Sequence, residues 1–393
     1  MASIVLFDST ARKNLLPFTF TRPVSEIRIG ILTIREKWEK RFSAKTSALT
    51  QDYLSEKFPT EIASDNIFIS GSLIPDDEIF KSVSSLKKGE AIFSDDELIA
   101  VRLDETDGRN FSSNGKLPSL NKKNSSLNNR LLTQKWQIFK WNDWTIAEDF
   151  KLITAGRKSQ TISSTNQIIG VENIFLEEGA RMEFATLNAS KGVIYLGKNS
   201  EVMEGATIRG AFSLGDYSEI KMQAKIYGAT TIGAHCKIGG EVTNSVVFGF
   251  SNKAHEGYLG NSVIGEWCNL GADTNNSNLK NDYSMVKQWN YASQSFENTG
   301  EQFCGLMMGD HSKCGINTMF NTGTVVGVSS NIFGDGFPRQ FIPSFSWGGA
   351  NGFTDYSIAK SLKVAQLVME RRKIELTEEE KKILTHIYNL KDR

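Results

Sequence analysis

Apolar positions along the chain fall into one strict rhythm. Leu196, Val202, Ile208, Leu214, Ile220, Ile226, Ile232 and Ile238 recur every sixth residue without a miss. Ile, Leu and Val make up roughly a fifth of an ordinary chain, so chance would give such a run about once in 10⁵–10⁶ starting points. A second layer accompanies the first. Gly197, Gly215, Gly233 and Gly239 directly follow their aliphatic residues, and small residues (Ser200, Ala206, Ser218, Ala224, Thr230, Cys236) stand four places after theirs. Neither helical spacing nor strand alternation has a period of six. A prism-shaped coil has it, with three short faces that each send one aliphatic side chain inward and small residues at the tight corners. The spacing therefore predicts a left-handed parallel β-helix, an exception to the usual right-handed crossover.

The rhythm starts irregularly near Ile174, with Leu176 and Met182 as early matches, and breaks after Ile238. It resumes at Ile264 and Leu270, gives way to a polar and aromatic excursion from about Asn275 to Phe303, and returns at Met308, Cys314, Phe320, Val326 and Ile332. Loops that interrupt such arrays cluster on one side and carry function. From about Thr354 to Leu390 the pattern turns helical: Ile358, Leu362, Ala365 and Met369 form a stripe, and Thr377 to Glu380 reads as a capping box.

The first 160 residues hold no hexads. Ser3–Phe7, Asn66–Ser70, Ala91–Phe93, Leu98–Leu103 and Trp136–Trp141 read as strands, and Ile34–Phe42 as an amphipathic helix. Such alternation predicts an α/β layer domain. The Ser-, Asn-, Gly- and Lys-rich stretch 108–130 reads as a surface loop. The expected organisation is an α/β domain over 1–160, a β-helix over 161–353 and a helical cap over 354–393.

Composition narrows the choice of partners. With 45 basic and 45 acidic residues the net charge is zero, so no global field draws nucleic acid or an acidic membrane. No apolar run approaches the roughly 20 residues that span a bilayer. The start, Met1 to Asp8, lacks a basic lead and reads as a first buried strand. Cys236, Cys268, Cys304 and Cys314 show no CxxC pairing and read as small core residues of a cytoplasmic protein.

The richest chemistry lies in the break after Ile238. It holds His255, Tyr258, Leu259 and Gly260, then Ile264 and Gly265, then Asn269, Gly271, Ala272 and Asn278. Imidazole titrates near neutrality and can take a proton from an amine nucleophile. Asparagines emerging between coils can hold sugar hydroxyls. From Ala254 to Asn278 the string resembles, without a gap, the acetyltransferase domain of the bifunctional N-acetylglucosamine-1-phosphate uridyltransferase/glucosamine-1-phosphate N-acetyltransferase family. The resemblance implies His255 as general base. It implies Tyr258, Asn269 and Asn278 as sugar-phosphate contacts and Ala272 as an acetyl-CoA contact. Glu241 lies upstream, where a carboxylate could orient the imidazole. Thr243 stands where that family has a basic residue for the sugar phosphate, leaving Lys225 and Lys253 to substitute. Arg339 is a candidate partner for a CoA phosphate, and His311 a candidate pocket residue or a structural coil histidine.

At the other end, Leu16 to Pro23 resembles the close of a nucleotidyltransferase signature, and Arg22 to Gly30 resembles a divergent branch of the same bifunctional enzymes. The glycine-rich loop that usually cradles phosphates is replaced by Asp8-Ser9-Thr10-Ala11-Arg12-Lys13-Asn14. Arg12, Arg22 and Arg28 are candidate triphosphate partners or ordinary salt-bridge residues. The resemblance thus implies acetyl-CoA and UTP as cosubstrates, with Mg²⁺. No Mg²⁺ carboxylate pair is evident, since Asp95, Asp96 and Glu97 read as a hairpin turn. It also implies a homotrimer that acts on a sugar phosphate, with no nucleic acid or membrane partner. Other readings stay open: one activity with the other domain degenerate, a zinc-dependent hydratase using His235, His255 and His311, or a non-enzymatic scaffold.

Overall fold

The structure, a computed structural model, describes residues 2–94, 96–124 and 130–390. Asp95 and residues 125–129 of the expected loop lie outside that range. The chain forms two compact units. One holds Met1–Leu15, Thr21–Ile27 and Leu32–Gln134; the other holds Leu16–Phe20, Arg28–Ile31 and Lys135–Arg393.

The first unit is an α/β layer. Its six-stranded sheet runs Thr46–Leu49, Ser3–Phe7, Asp65–Ser70, Glu97–Asp104, Glu90–Ser94, Asn121–Asn124 in spatial order. The first three strands are mutually parallel. Val5, Phe7, Phe68, Ala91, Val101 and Leu103 form its core. Ile34–Phe42 is helical as expected, and Thr33 and Glu36 close a capping box at its start. The stretch 108–130 differs from the expected loop, because Glu105–Asn114 is a helix. Asp104 caps it through the Asp107 amide, Gly115 ends it in the left-handed region, and Phe111 packs edge-on against Phe7 and Phe68. Local capping and one aromatic anchor outweigh the polar composition. Asp96 lies in the turn between Glu90–Ser94 and Glu97–Asp104, as the acidic run suggested.

The second unit is a parallel β-helix of three faces, with sheets of six, nine and ten strands. The hexads are dealt out in threes. Leu196 lies against Leu214, Val202 against Ile220 and Ile208 against Ile226, each pair three hexads apart. Their side chains stack into one continuous core with Cys236, Cys268 and Cys314. All four cysteines are buried free thiols. The array begins with Gln167–Ile169, slightly earlier than expected.

The break after Ile238 is not a break in the coil. Val242, Val247, Leu259 and Ile264 stay inside the core, and the corners between them shorten by a residue or two. The strict six is lost while the inward column continues. In that column Lys253 sits beside Ile238, in an aliphatic slot. The excursion does leave the prism. It carries the antiparallel hairpin Lys287–Asn290/Ser295–Asn298 before Met307–Met308 rejoins the second face.

Trp136–Trp141, expected as a strand, is helical: Gln137–Lys140 leads into Asn142–Thr154. Alternating aromatics imitate a strand, but Thr145, Ile146 and Asp149 continue a three-to-four-residue inward spacing. At the far end, Ser346–Gly349 and Gly352–Asp355 form a hairpin before the helices Ile358–Glu370 and Glu378–Asn389. Thr377 and Glu380 make the expected capping box.

One corner of the prism carries a stacked ladder: Tyr217, His235, Phe250, Trp267 and His311, each ring nearly parallel to the next. Two of the histidines weighed as zinc ligands are thus rungs of an aromatic stack. Among the described residues no group of three metal-binding side chains converges, and no helix is long and apolar enough to cross a membrane.

Candidate active site

Consecutive coils place outward residues in register on the first face of the prism. Lys225, Glu241 and Tyr258 form one column, and Tyr227, Thr243 and Gly260 the next. Beside them opens a cleft of about 560 Å³. Tyr227, Thr243, Asn244, Tyr258, Asn261 and Asn278 line it, with Lys140, Asp143, Glu301 and Phe303 on its rim. The lining is mostly hydroxyl, amide and aromatic ring, the surface that a sugar's hydroxyls and apolar faces both match.

Hydrogen bonds fix the polar atoms. Asn278 Nδ2 donates to Tyr258 Oη at 2.9 Å and to Asn261 Oδ1 at 2.8 Å. The Tyr227 hydroxyl donates to Glu241, and that carboxylate, with burial second, pushes the phenol up to about 12. Burial also raises the Tyr258 phenol. Lys140 pairs with Glu301 at the rim.

Gly260 shows why the Tyr-Leu-Gly string suits the place. A Cβ there would lie 2.3 Å from Tyr258 Oη and 2.7 Å from Asn278 Nδ2. Gly260→Ala is therefore expected to displace both contacts. In steady-state kinetics the KM for the acceptor should rise about 5- to 150-fold, a loss of about 1–3 kcal/mol for misplaced polar contacts. An unchanged KM would show that these two side chains do not touch the acceptor.

Asn276 holds this face together from inside. It occupies an inward slot above Leu259, buried, with Oδ1 accepting from Gly260 N at 2.9 Å and Nδ2 donating to Gly260 O at 3.1 Å. Its side chain replaces the strand pairing that the excursion interrupts. Asn276→Ala should cost about 1–3 kcal/mol, because it leaves a buried N–H and C=O unmet; chemical denaturation measures it, and a loss below a few tenths would contradict the bracket.

His255 lies on the exposed corner between Asn252–Lys253 and Tyr258–Gly260 and is not among the cleft-lining residues. The corner holding Ala272 stacks one coil further on, where Asp273 N donates to Glu256 O at 3.0 Å. His255 and Ala272 thus share a corner, while Tyr258 and Asn278 meet in the cleft. Glu241 sits beside Tyr258 with its carboxylate on Tyr227. Asn269 is exposed on the third face, between Asn252 and Lys313. Lys253 points inward, its ammonium on the carbonyls of Gly239 and His255. Arg339 lies in an exposed stretch over the Phe353 ring, 5.2 Å from its centroid.

In the first unit the parallel strands end together at Phe7, Leu49 and Ser70. Just past those ends, Arg12 reaches Asp8 at 3.1 Å and Tyr53 at 2.8 Å. Asp8 also accepts from Val24 N and Thr50 Oγ1, and burial raises its carboxyl. Its two oxygens are thus held by Val24, Thr50 and Arg12. Arg22 is buried in this unit. Arg28 belongs to the second unit and donates to Ile31 O. Sequence reasoning did not single out Asp8 as the carboxylate that holds Arg12; its place just past the first strand is the signal that could have found it. It also missed Tyr227, Asn244 and Asn261, whose outward positions carry no distinctive spacing.

An α/β unit followed by a hexapeptide β-helix with a polar cleft defines the class of chain. Residues 4–158 match the family described as sugar nucleotidyl transferase. The chain is similar to the bifunctional protein GlmU of Methanocaldococcus jannaschii, with 38% identity over 87 residues, 22% of this chain and 21% of that protein. The bifunctional protein GlmU of Methanococcus aeolicus is similar at 32% over 92 residues, 23% and 22% of the two chains. Each alignment thus spans about a fifth of the curated relative. Among solved structures, the UDP-N-acetylglucosamine acyltransferase of Arabidopsis aligns over 54% of this chain and 80% of its own at 16% identity, with a TM-score of 0.25.

Proposed function

We propose that the β-helix transfers acetyl from acetyl-CoA to the amine of glucosamine-1-phosphate, and that the α/β unit joins the acetylated sugar phosphate to UTP. The observation that carries the reading is the cleft in which Tyr258 and Asn278, both implied sugar-phosphate contacts, are hydrogen-bonded at 2.9 Å. In this reading His255 takes the amine proton as nitrogen attacks the thioester carbon, and a backbone N–H steadies the oxyanion. The C–S bond breaks and CoA leaves as the thiol. Ala272, on the corner stacked over that of His255, would lie along the acetyl-CoA path. A homotrimer would set a neighbouring prism against that corner and Asn269. In the first unit Arg12 and Arg22 would meet the UTP phosphates, whose Mg²⁺ would balance charge as pyrophosphate leaves.

A single reaction with glucosamine-1-phosphate, acetyl-CoA and UTP, resolved by mass, tests both halves. UDP-N-acetylglucosamine is the expected product. N-acetylglucosamine-1-phosphate alone would remove the nucleotidyl half, and no acetylated sugar would overturn the acetyl half.

A further inference from the structure

The face-three column of the prism runs Met182, Val202, Ile220, Ile238, Lys253, Leu270, Cys314, Ile332. A lysine in the middle of that column is costly. Its ammonium leaves water for a dry interior, where an aliphatic residue would pack without penalty. Burial lowers its pKa to about 8, which expresses that cost. Lys253 is only 2% exposed, and it is not idle. Its Nζ donates to Gly239 O at 3.0 Å and to His255 O at 2.9 Å. These two carbonyls belong to consecutive coils at the same corner. The corners are pressed close: a Cβ on Gly239 would lie 2.4 Å from Ala254 O, and one on Gly240 would lie 2.8 Å from His255 O. The ammonium is a cross-link between the coil below and the turn that carries His255.

We propose that Lys253 is a positioning residue that fixes the His255 corner from inside the prism, and that it contacts neither substrate. This rests on the acetyl-transfer reading. The hexad pattern asks for an aliphatic residue at this slot, so an ordinary structural role would be served better by isoleucine. Its two hydrogen bonds offset part of that cost, and both end on the corner that carries His255, where a misplacement of about 1 Å can lower a rate by 10².

Lys253→Ile separates the two roles. It restores the aliphatic column and gives up two carbonyl hydrogen bonds, opposing effects that should leave the variant folded. The kcat of acetyl transfer should fall tenfold or more, with both KM values changed less than about threefold. Lys253→Met, which keeps the length of the chain but has no donor, should behave alike and serves if the branched residue fits poorly. A folded variant with wild-type kcat would overturn the clamp. So would a loss confined to KM, which would make Lys253 a substrate contact. Amide hydrogen exchange gives a readout independent of activity. Asp273 N is bonded to Glu256 O and Glu241 N to Gly257 O, across the same corner. Both amides should exchange at least tenfold faster in either variant, and unchanged exchange would overturn the clamp. If the wild type transfers no acetyl group, the functional reading fails while the exchange experiment still judges the clamp.

Discussion

Phe320→Ala should destabilise the prism by about 3–5 kcal/mol, the usual loss for a fully buried aromatic truncated to alanine. Phe320 is 1% exposed and points inward beside Asn276, in a two-strand pair that is separate from the six-stranded first face. Its ring fills the space that a continued aliphatic column would have closed. Stacked coils contact only their neighbours, so no distant element can compensate. Because the chain has two compact units, the loss should appear in the β-helix transition of a denaturant titration. The transition of the first unit should stay in place. A loss under about 1 kcal/mol would mean that the site collapses around the cavity, and that the excursion, not Phe320, closes this level of the prism.

His255→Ala should lower the kcat of acetyl transfer by 10² or more, the customary range for a general base, which is about 2.7 kcal/mol of barrier. The corner is exposed and its backbone is tied through the His255 and Glu256 carbonyls. Removing the imidazole therefore leaves the fold and the cleft in place. Stability should be unchanged, and the KM for the sugar phosphate, which the proposed function assigns to Tyr258 and Asn278, should move little. Nucleotidyl transfer by the first unit should continue with an already acetylated acceptor. A variant that keeps more than about a third of the wild-type kcat would assign the proton to another group.

Much of this fold was legible because a prism has one slot per face and the slots repeat. The run from Leu196 to Ile238 fixes the coil period, and the pairing of residues three hexads apart follows from it. What escaped the pattern did so for physical reasons. Shortened corners after Ile238 keep the core while losing the count, so Val242 and Val247 looked like an interruption. Lys253 and Asn276 are polar residues in aliphatic slots, and only their carbonyl and amide partners explain them. The helix from Glu105 to Asn114 hides in polar composition because its anchor is the single ring of Phe111.

The site was legible in part. Tyr258 and Asn278 came from a contiguous string, and the coil brings them within one hydrogen bond across a separation of 20 residues. Asn269 came from the same string and Arg339 from its basic side chain in the tail, yet in the single chain they lie on the third face and in an exposed stretch, apart from the cleft lining. Which face a residue takes depends on corner lengths, and those are the part of a solenoid that the repeat does not encode.

The central claim is that the β-helix is an acetyltransferase acting on an amino sugar phosphate. The most direct measurement is the initial rate of free thiol release from acetyl-CoA by the full chain, with and without glucosamine-1-phosphate. The account predicts release that requires the sugar phosphate, saturates with it and is lost in His255→Ala. Release at the same background rate with and without the acceptor would contradict it.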